Sequence, residues 1–353
     1  MATALGASSL VAGSAVKSGA ASEFGATALS GSVSGSDGSS PRLSPTPTPA
    51  SPASRELSRA LVIVARKANG DDDLHAFYKL LINTSLARLA IATRPEDAWA
   101  KFFQPDDVVA IKVNAITGKK LSTSPALVRA IADGLTSCGV HPDKIIVWDR
   151  ASCELDAAGF QVNFANEGPL CYGTDAPSAG YETSPTILGA VGSCFSRIVT
   201  ENATALINVP VLREHSVAGV SIALKNNYGA IHNPNKYHAD GCTPFVADVN
   251  THPAIKKKTR LVICDALGVQ FHGGPGYKPK WTSDFGGVLV GTDPVAIDTV
   301  GAEEIDRLRK SAGLRSLSEE KRYPGYLSVA SDGAHLLGIS DRSRIDVINR
   351  ELA

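Results

Sequence analysis

The chain has 353 residues, of which 43% are hydrophobic and 20% are charged, so it is long enough to bury a large core. Its 35 basic residues equal its 35 acidic residues in number, a balance that argues against nucleic acid or an anionic membrane as partner. No stretch approaches the roughly 20 apolar residues that a membrane-spanning helix needs. The six cysteines never occur as Cys-x-x-Cys, so no iron-sulfur cluster and no zinc ribbon is expected.

Residues 1–57 differ in composition from the remainder of the chain. Alanine, serine, glycine, threonine and proline dominate this segment, and Ser44–Pro52 is punctuated by prolines, so we predict a disordered low-complexity tail. Within it, Ala4–Ala15 resembles the weakly apolar middle of a twin-arginine export signal, although the two arginines are absent. Two interpretations stay open: a remnant of an export signal, which implies a periplasmic or extracellular protein, or a simple linker on a cytoplasmic one.

Residues 58–353 alternate between strand-like and helix-like segments, which predicts one α/β domain. The strand-like runs are continuously apolar rather than alternating, as expected for strands that are covered on both faces. We therefore predict a mainly parallel sheet with helices on both faces. The predicted strands are 60–65, 107–114, 144–149, 203–209, 260–265 and 287–292, and the predicted helices are 74–92, 126–138 and 293–310.

A long histidine-rich segment, Asn208–Tyr277, interrupts this pattern. It holds five of the eight histidines of the chain among glycines, prolines and polar residues. Irregular segments of this length in a compact domain are usually functional or disordered, and the aromatic, imidazole and carboxylate content favours a functional segment.

Ionisable residues follow the predicted strands where each one ends. In open parallel sheets, ligands bind outside the carboxyl ends of the strands. We expect His215 or His272 to be a general acid/base, Asp265 to orient it, and Lys225 to contribute to catalysis or to bind an anion. The predicted substrate-binding residues are Lys112, Asn114, Asp149, Asn226, Gly273 and Gly274.

Metal binding is a second interpretation of the same residues. His215, His238 and His272, with nearby carboxylates, offer enough ligands for one divalent transition metal. Their spacing matches neither a helical metalloprotease motif nor a zinc finger. The alternative, histidines that serve as hydrogen-bonding or acid/base groups, stays open.

As an ordered set, these segments resemble the domain-of-unknown-function 362 family over about residues 58–349. The motifs that carry the resemblance are Ile111–Asn114, Leu121–Pro125, Val147–Arg150, Val209–Val220, Leu224–Gly229, Tyr237–His238, Phe271–Tyr277 and Thr292–Asp298. The resemblance implies no particular reaction, because the biochemical role of the family is not generally established. Some members carry ferredoxin modules and others carry twin-arginine export signals. This chain lacks the ferredoxin cysteines, and it has Arg213 where the family often has a lysine.

Two functions from different classes follow from these observations. The first is a small-molecule enzyme with a His/Lys/Asp site that acts on an anionic substrate, with or without a metal. The second is a protein that binds a ligand or a metal with the same residues and does not turn it over.

Overall fold

The structure, a computed structural model, describes residues 59–67, 73–165 and 167–352. The predicted disordered tail and the export-signal-like segment lie outside the described residues. The strands are β1 (Ala60–Lys67), β2 (Val109–Val113), β3 (Ile145–Asp149), β4 (Leu170–Gly173), β5 (Thr186–Leu188), β6 (Val191–Ser193), β7 (Ala205–Val209), β8 (Val211–His215), β9 (Gly219–Val220), β10 (Thr259–Gln270), β11 (Thr282–Gly291) and β12 (Ile345–Leu352). The α-helices are α1 (Leu74–Ala90), α2 (Pro95–Ala100), α3 (Pro125–Ser137), α4 (Ser152–Ala158), α5 (Ala223–Asn226), α6 (Phe245–Asn250), α7 (Pro253–Lys258), α8 (Pro294–Ser311) and α9 (Tyr326–Ala330).

One large sheet organises this part of the chain, with the strand order β12-β1-β11-β10-β7-β2-β3-β4. Every neighbouring pair in this order is parallel except the two pairs that involve β11. β8 continues the sheet beside β10 and pairs with the short strand β9. The predicted α/β fold with a mainly parallel sheet is therefore confirmed.

Two hydrophobic clusters cover the two faces of the sheet. Along β1, Ile63 and Ala65 pack into the cluster formed with α1 to α4, whereas Val62 and Val64 pack into the cluster formed with α5 to α9. Because successive strand residues point to opposite faces, a strand buried on both faces has to be apolar at every position. None of the helices in the described ranges has the length and apolar character needed to cross a bilayer.

The helices that follow the strands begin at the caps expected from the sequence. The Ser124 hydroxyl accepts a hydrogen bond from the Ala126 amide at the start of α3, and the next residue is proline. Asp293 caps α8 in the same way, by accepting from the amides of Val295 and Ala296.

Strand register brings the site residues to one level at the carboxyl edge of the sheet. Lys112 on β2 pairs with Asn208 on β7 and with Trp148 on β3, one residue before Asp149. The histidine-rich segment contributes β8, β9 and α5, which lie at this edge, and it is thus built from short regular elements as well as loops.

Candidate functional site

A cavity of about 220 Å³ lies at the carboxyl ends of β2, β3 and β8, with α5 as one wall. Six of the residues predicted from the sequence line it, namely Lys112, Asn114, Asp149, His215, Lys225 and Asn226, together with His238 of the predicted metal set. The lining also includes Arg150, Glu154, Arg213, Ser221, Tyr228, Gly229 and Pro275. Seven of the predicted residues are thus brought together in a single cavity, and four of them, Lys112, Asn114, Asp149 and His215, were predicted from their places at strand ends.

One wall of the cavity is a buried ion pair. Lys112 Nζ lies 2.7 Å from Asp149 Oδ1 and also donates a hydrogen bond to the Val113 carbonyl at 2.6 Å. The other carboxylate oxygen of Asp149 accepts from the Ala115 amide at 2.8 Å. Both side chains are less than a tenth exposed. Each charge therefore has an opposite charge and further hydrogen bonds as compensation, which is what a buried ion pair requires.

Close backbone packing helps to enclose this ion pair. A Cβ atom at Gly229 would lie 2.7 Å from Lys112 Cε and 2.8 Å from Asp149 Oδ1. A side chain at this position would have to displace one of the two charged groups, so glycine is required for the backbone to approach them.

Three asparagines connect α5 to the sheet. Asn226 Nδ2 donates to Asn208 Oδ1 at 2.8 Å, and Asn114 Nδ2 donates to Asn226 Oδ1 at 3.2 Å. Asn208 Nδ2 completes the connection by donating to the Ala223 carbonyl at 2.7 Å. The Asn114 Oδ1 atom is buried and has no hydrogen-bond partner within the described ranges, so it can accept a hydrogen bond from a ligand.

Asp298 on α8 anchors the backbone of α5. The carboxylate of Asp298 accepts hydrogen bonds from the amides of Ala223 at 2.6 Å and Leu224 at 3.2 Å. Burial raises the pKa of Asp298 to about 8. Because α5 has only four residues, this anchor determines where Lys225 and Asn226 lie.

The opposite wall carries a buried arginine that forms no ion pair with the described residues. Arg213 on β8 is 3% exposed, and its Nε and Nη1 atoms have no hydrogen-bond partner among the residues the structure describes. Desolvation, offset in part by the charge of the nearby Asp149, lowers the pKa of Arg213 to about 10, so the guanidinium is still charged at neutral pH. Its neighbour Glu214 faces elsewhere, where it pairs with Arg322 at 2.6 Å. Arg213 therefore presents an unsatisfied cation to the cavity.

Lys225 is the second cation without a carboxylate. It is 6% exposed, and no ion pair in the described part of the chain includes it. Its Nζ atom lies 3.1 Å from His238 Nε2 and 4.4 Å from the centre of the Tyr228 ring. Desolvation, with a smaller contribution from Arg213, lowers the pKa of Lys225 to about 8.

The hydrogen bonds of His238 determine which of its ring nitrogens is protonated and which one accepts a hydrogen bond from Lys225. His238 Nδ1 lies 3.1 Å from the Pro234 carbonyl, which can only accept, so Nδ1 carries a proton. Burial lowers the pKa of His238, so the ring is neutral and its Nε2 accepts from the Lys225 ammonium.

His215 is a neutral hydrogen-bond donor. Its Nδ1 atom accepts from the amides of Val217 and Ala218, both at 3.2 Å, so the proton of the neutral ring lies on Nε2. Burial, and then the nearby Lys225, lowers the pKa of His215 to about 3. The centres of the His215 and His238 rings are 5.8 Å apart.

The prediction that Asp265 orients a histidine of this site is corrected by the structure. Asp265 points to the sheet face that α1 and α3 cover, where it accepts from the Tyr78 hydroxyl at 2.9 Å and the Ser124 amide at 2.9 Å. It lines a separate cavity with these residues. Its physical role there is to fix the start of α3.

His272, Gly273 and Gly274 also do not line the cavity, contrary to the predicted grouping. His272 Nδ1 lies 3.2 Å from Arg309 Nη1, and the ring packs edge-on against Trp281. The Gly274 amide donates to Glu214 at 2.7 Å, so it is not free to bind a ligand. This loop contributes Pro275 to the cavity instead.

The predicted three-histidine metal site does not assemble. His215 and His238 are brought together, but His272 is directed towards Arg309. Across the described ranges, no group of three or more histidine, cysteine or carboxylate side chains could hold a metal ion. The cations Arg213 and Lys225 beside the two histidines further disfavour a divalent cation.

Arg213 is the most informative of the lining residues that the sequence does not single out. Its position one residue before Glu214 and two before His215 on a strand was visible, but an arginine in an apolar strand pairs with a carboxylate in most proteins. Only the folded structure reveals that its Nε and Nη1 atoms have no hydrogen-bond partner among the described residues.

Comparisons with known proteins place the chain in a family without an assigned reaction. A crystal structure of a Thermotoga maritima protein from a structural genomics consortium is similar at 10% identity with a TM-score of 0.37, covering 62% of this chain and 58% of that one. The chain thus spans somewhat more than half of that protein, and a likeness this weak carries no argument. No curated protein matches the chain. The family model described as "Domain of unknown function (DUF362)" matches residues 109–303, more than half of the sequence, and the chain therefore belongs to the DUF362 family.

Proposed function

We propose that the cavity between β2, β3, β8 and α5 binds a small organic anion and that the protein is an enzyme that transfers protons on it. The observation that carries the proposal is Arg213, which lines the cavity and whose buried Nε and Nη1 atoms lack hydrogen-bond partners in the part of the chain that the structure describes. Burying an unpaired charge costs several kcal/mol, and the cost is offset when a ligand supplies the opposite charge.

The charges of the lining support an anion rather than a cation. Lys112 and Asp149 neutralise each other, as do Arg150 and Glu154, whose Nη2 and Oε1 atoms lie 2.6 Å apart. Arg213 and Lys225 are left without carboxylate partners among the described residues. A carboxylate or a phosphate group would satisfy the planar guanidinium with paired hydrogen bonds.

Proton transfer is supported by the three titratable groups beside the anion site. A lysine whose pKa is lowered to about 8 exchanges its proton readily near neutral pH, and His238 Nε2 lies 3.1 Å away as an acceptor. His215 can donate from Nε2 to a charge that develops on the substrate. The proposal uses no metal, and metal binding stays a prediction from the sequence alone.

Anion binding is tested by calorimetry with phosphate and with small carboxylates on the full chain. Replacing Arg213 by methionine should weaken binding roughly 10- to 100-fold, because a charge-assisted contact is lost. The matched control is Arg197→Met, which removes an exposed arginine that pairs with Glu201 on the surface. Equal affinities of the wild type and Arg213→Met would contradict the proposal.

Turnover is tested by deuterium exchange at the acidic carbon of a bound small oxo acid, followed by NMR. The wild type should accelerate the exchange, and Lys225→Met should abolish the acceleration while binding is retained in weakened form. Binding without any exchange in the wild type would favour the second function, a ligand-binding protein without turnover.

A further inference from the structure

Building on the proposed function, we infer that Lys225 is a nucleophile that forms an imine with a small 2-oxo acid whose carboxylate is bound by Arg213. This names both the substrate class and the covalent step of the site. The argument rests on the surroundings of the amine, on the position of Arg213 and on the proton acceptor beside the amine.

The surroundings of Lys225 differ from those of the other buried lysine of the cavity. Lys112 is held by a carboxylate at 2.7 Å and a carbonyl at 2.6 Å, so its nitrogen is already engaged by strong hydrogen-bond acceptors. Among the described residues Lys225 has one hydrogen-bond partner, the neutral His238 ring, and its Nζ atom also lies over the Tyr228 ring. A lysine that is desolvated beside another cation is the kind that acts as an amine nucleophile.

Arg213 provides the second half of the recognition. It lines the same cavity as Lys225, and it is close enough for its charge to affect the titration of the amine. A 2-oxo acid carries a carboxylate for the guanidinium and, on the adjacent carbon, a carbonyl for the amine. A cavity of about 220 Å³ suits such a small molecule better than a nucleotide or a peptide.

The step balances without an oxidant or a reductant. The Lys225 ammonium passes a proton to His238 Nε2, and the free amine attacks the carbonyl carbon. A C–N bond forms, the C=O π bond breaks, and the oxygen becomes a hydroxyl by taking a proton from the positively charged nitrogen of the adduct. Loss of water then breaks the C–O bond and leaves a protonated imine, with the proton on His238 returned to the leaving oxygen. Ammonium and oxo acid thus give iminium and water, with no net change in protons or electrons.

The neighbouring groups suit this sequence of events. His238 is held by the Pro234 carbonyl so that its free nitrogen faces the amine. The buried Asn114 oxygen is an acceptor for a hydroxyl such as that of the carbinolamine. The iminium that forms is a cation beside Arg213, so the substrate carboxylate is also what stabilises it.

The experiment traps the imine in the full-length protein with pyruvate as the oxo acid and sodium cyanoborohydride as the reductant. We expect one stable adduct per chain in the intact mass spectrum, and peptide mapping should place it on Lys225. Lys225→Arg, which keeps the positive charge, should give no adduct at this position. Lys236→Arg, which changes an exposed lysine on the same segment, should be labelled like the wild type.

Arg213→Met supplies a test of the carboxylate contact. With limiting pyruvate its labelling should fall about 10-fold or more, whereas labelling by a neutral ketone such as acetone should change little. Equal loss with both reagents would contradict the assignment of Arg213 to the carboxylate.

The outcomes separate this inference from the function on which it rests. Calorimetric anion binding that depends on Arg213, together with adducts spread over exposed lysines or no adduct, would overturn the imine and leave the proposed function in place. Absence of both anion binding and adduct would overturn the two together. The mapping is made on the wild type, so it decides the question even if a variant fails to fold.

Discussion

The two walls of the cavity bury charged side chains to the same extent, but only one of them pairs these charges with opposite charges. On the β2–β3 wall, Lys112 and Asp149 are 3% and 5% exposed and form an ion pair with additional backbone hydrogen bonds. On the β8–α5 wall, Arg213 and Lys225 are 3% and 6% exposed, and no carboxylate of the described residues pairs with either.

The difference shows that burial of a charged residue does not by itself identify a functional group. A compensated pair contributes to the shape of the site and to stability, and its loss leaves one uncompensated charge. An uncompensated cation lowers stability in the absence of ligand and is explained by what it binds. Substitutions on the two walls should therefore change stability in opposite directions.

The largest effect is expected for Lys112→Met, which leaves Asp149 as an unpaired buried carboxylate. The free energy of unfolding should fall by about 3–5 kcal/mol, measured by denaturant titration. Replacing both partners, with Lys112→Met and Asp149→Leu together, should recover part of this loss because no charge is left unpaired. A single variant as stable as the wild type would mean that the two walls do not differ.

His215 should make the free energy of unfolding depend strongly on pH. The ring is neutral, and its Nδ1 atom accepts hydrogen bonds from two backbone amides. Its pKa is about 3 when folded and is near 6.5 when unfolded, so the unfolded state binds more protons between these values. The contribution of neutral His215 to the free energy of unfolding is therefore fully present above pH 6.5. This contribution is lost as the pH falls towards 3, by on the order of 3 kcal/mol. Unfolding measured at pH 7 and at pH 4 should show a smaller difference in His215→Asn than in the wild type, and an identical difference would contradict the neutral assignment.

Arg213→Met should have the opposite sign to Lys112→Met. Without an anion, removing the uncompensated guanidinium should raise the free energy of unfolding by about 1–3 kcal/mol, because its desolvation cost disappears. Arg309→Met is the matched control, since Arg309 is also buried but forms an ion pair with Glu320 and donates from Nε to the Arg315 carbonyl at 2.9 Å, and this variant should be destabilised. Destabilisation by both substitutions to the same degree would remove the distinction between the walls.

The smallest change in stability is expected for Lys225→Met. This variant loses both the buried charge and the hydrogen bond to His238. The folded pKa of about 8 lies below the ordinary lysine value of 10.5, so the unfolded state binds more protons between pH 8 and 10.5. The wild-type free energy of unfolding should therefore increase as the pH rises, by about 2 kcal/mol between pH 7.5 and pH 10. Thermal unfolding at pH 7.5 and pH 10 should show this increase in the wild type and not in the variant, and parallel profiles would contradict the lowered pKa.

Much of the site could be predicted because the rules that place it are local. Apolar runs identified β2, β3, β7 and β10, and the residues that end or follow such strands include Lys112, Asn114 and Asp149. The carboxyl ends of parallel strands meet at one edge whatever the details of packing. The caps at Ser124 and Asp293 are local as well, since each bonds to amides within the next three residues.

The sequence by itself thus determined the α/β fold, the edge that carries the cavity and most of the polar residues at that edge. Only the tertiary structure decided which face each strand residue occupies, because strands that are apolar on both sides give no alternation from which a face can be assigned. For this reason Asp265 was assigned to the site although it faces α1 and α3. For the same reason Arg213 was not assigned to it, since the lack of a partner depends on residues distant in sequence, and these come together only on folding.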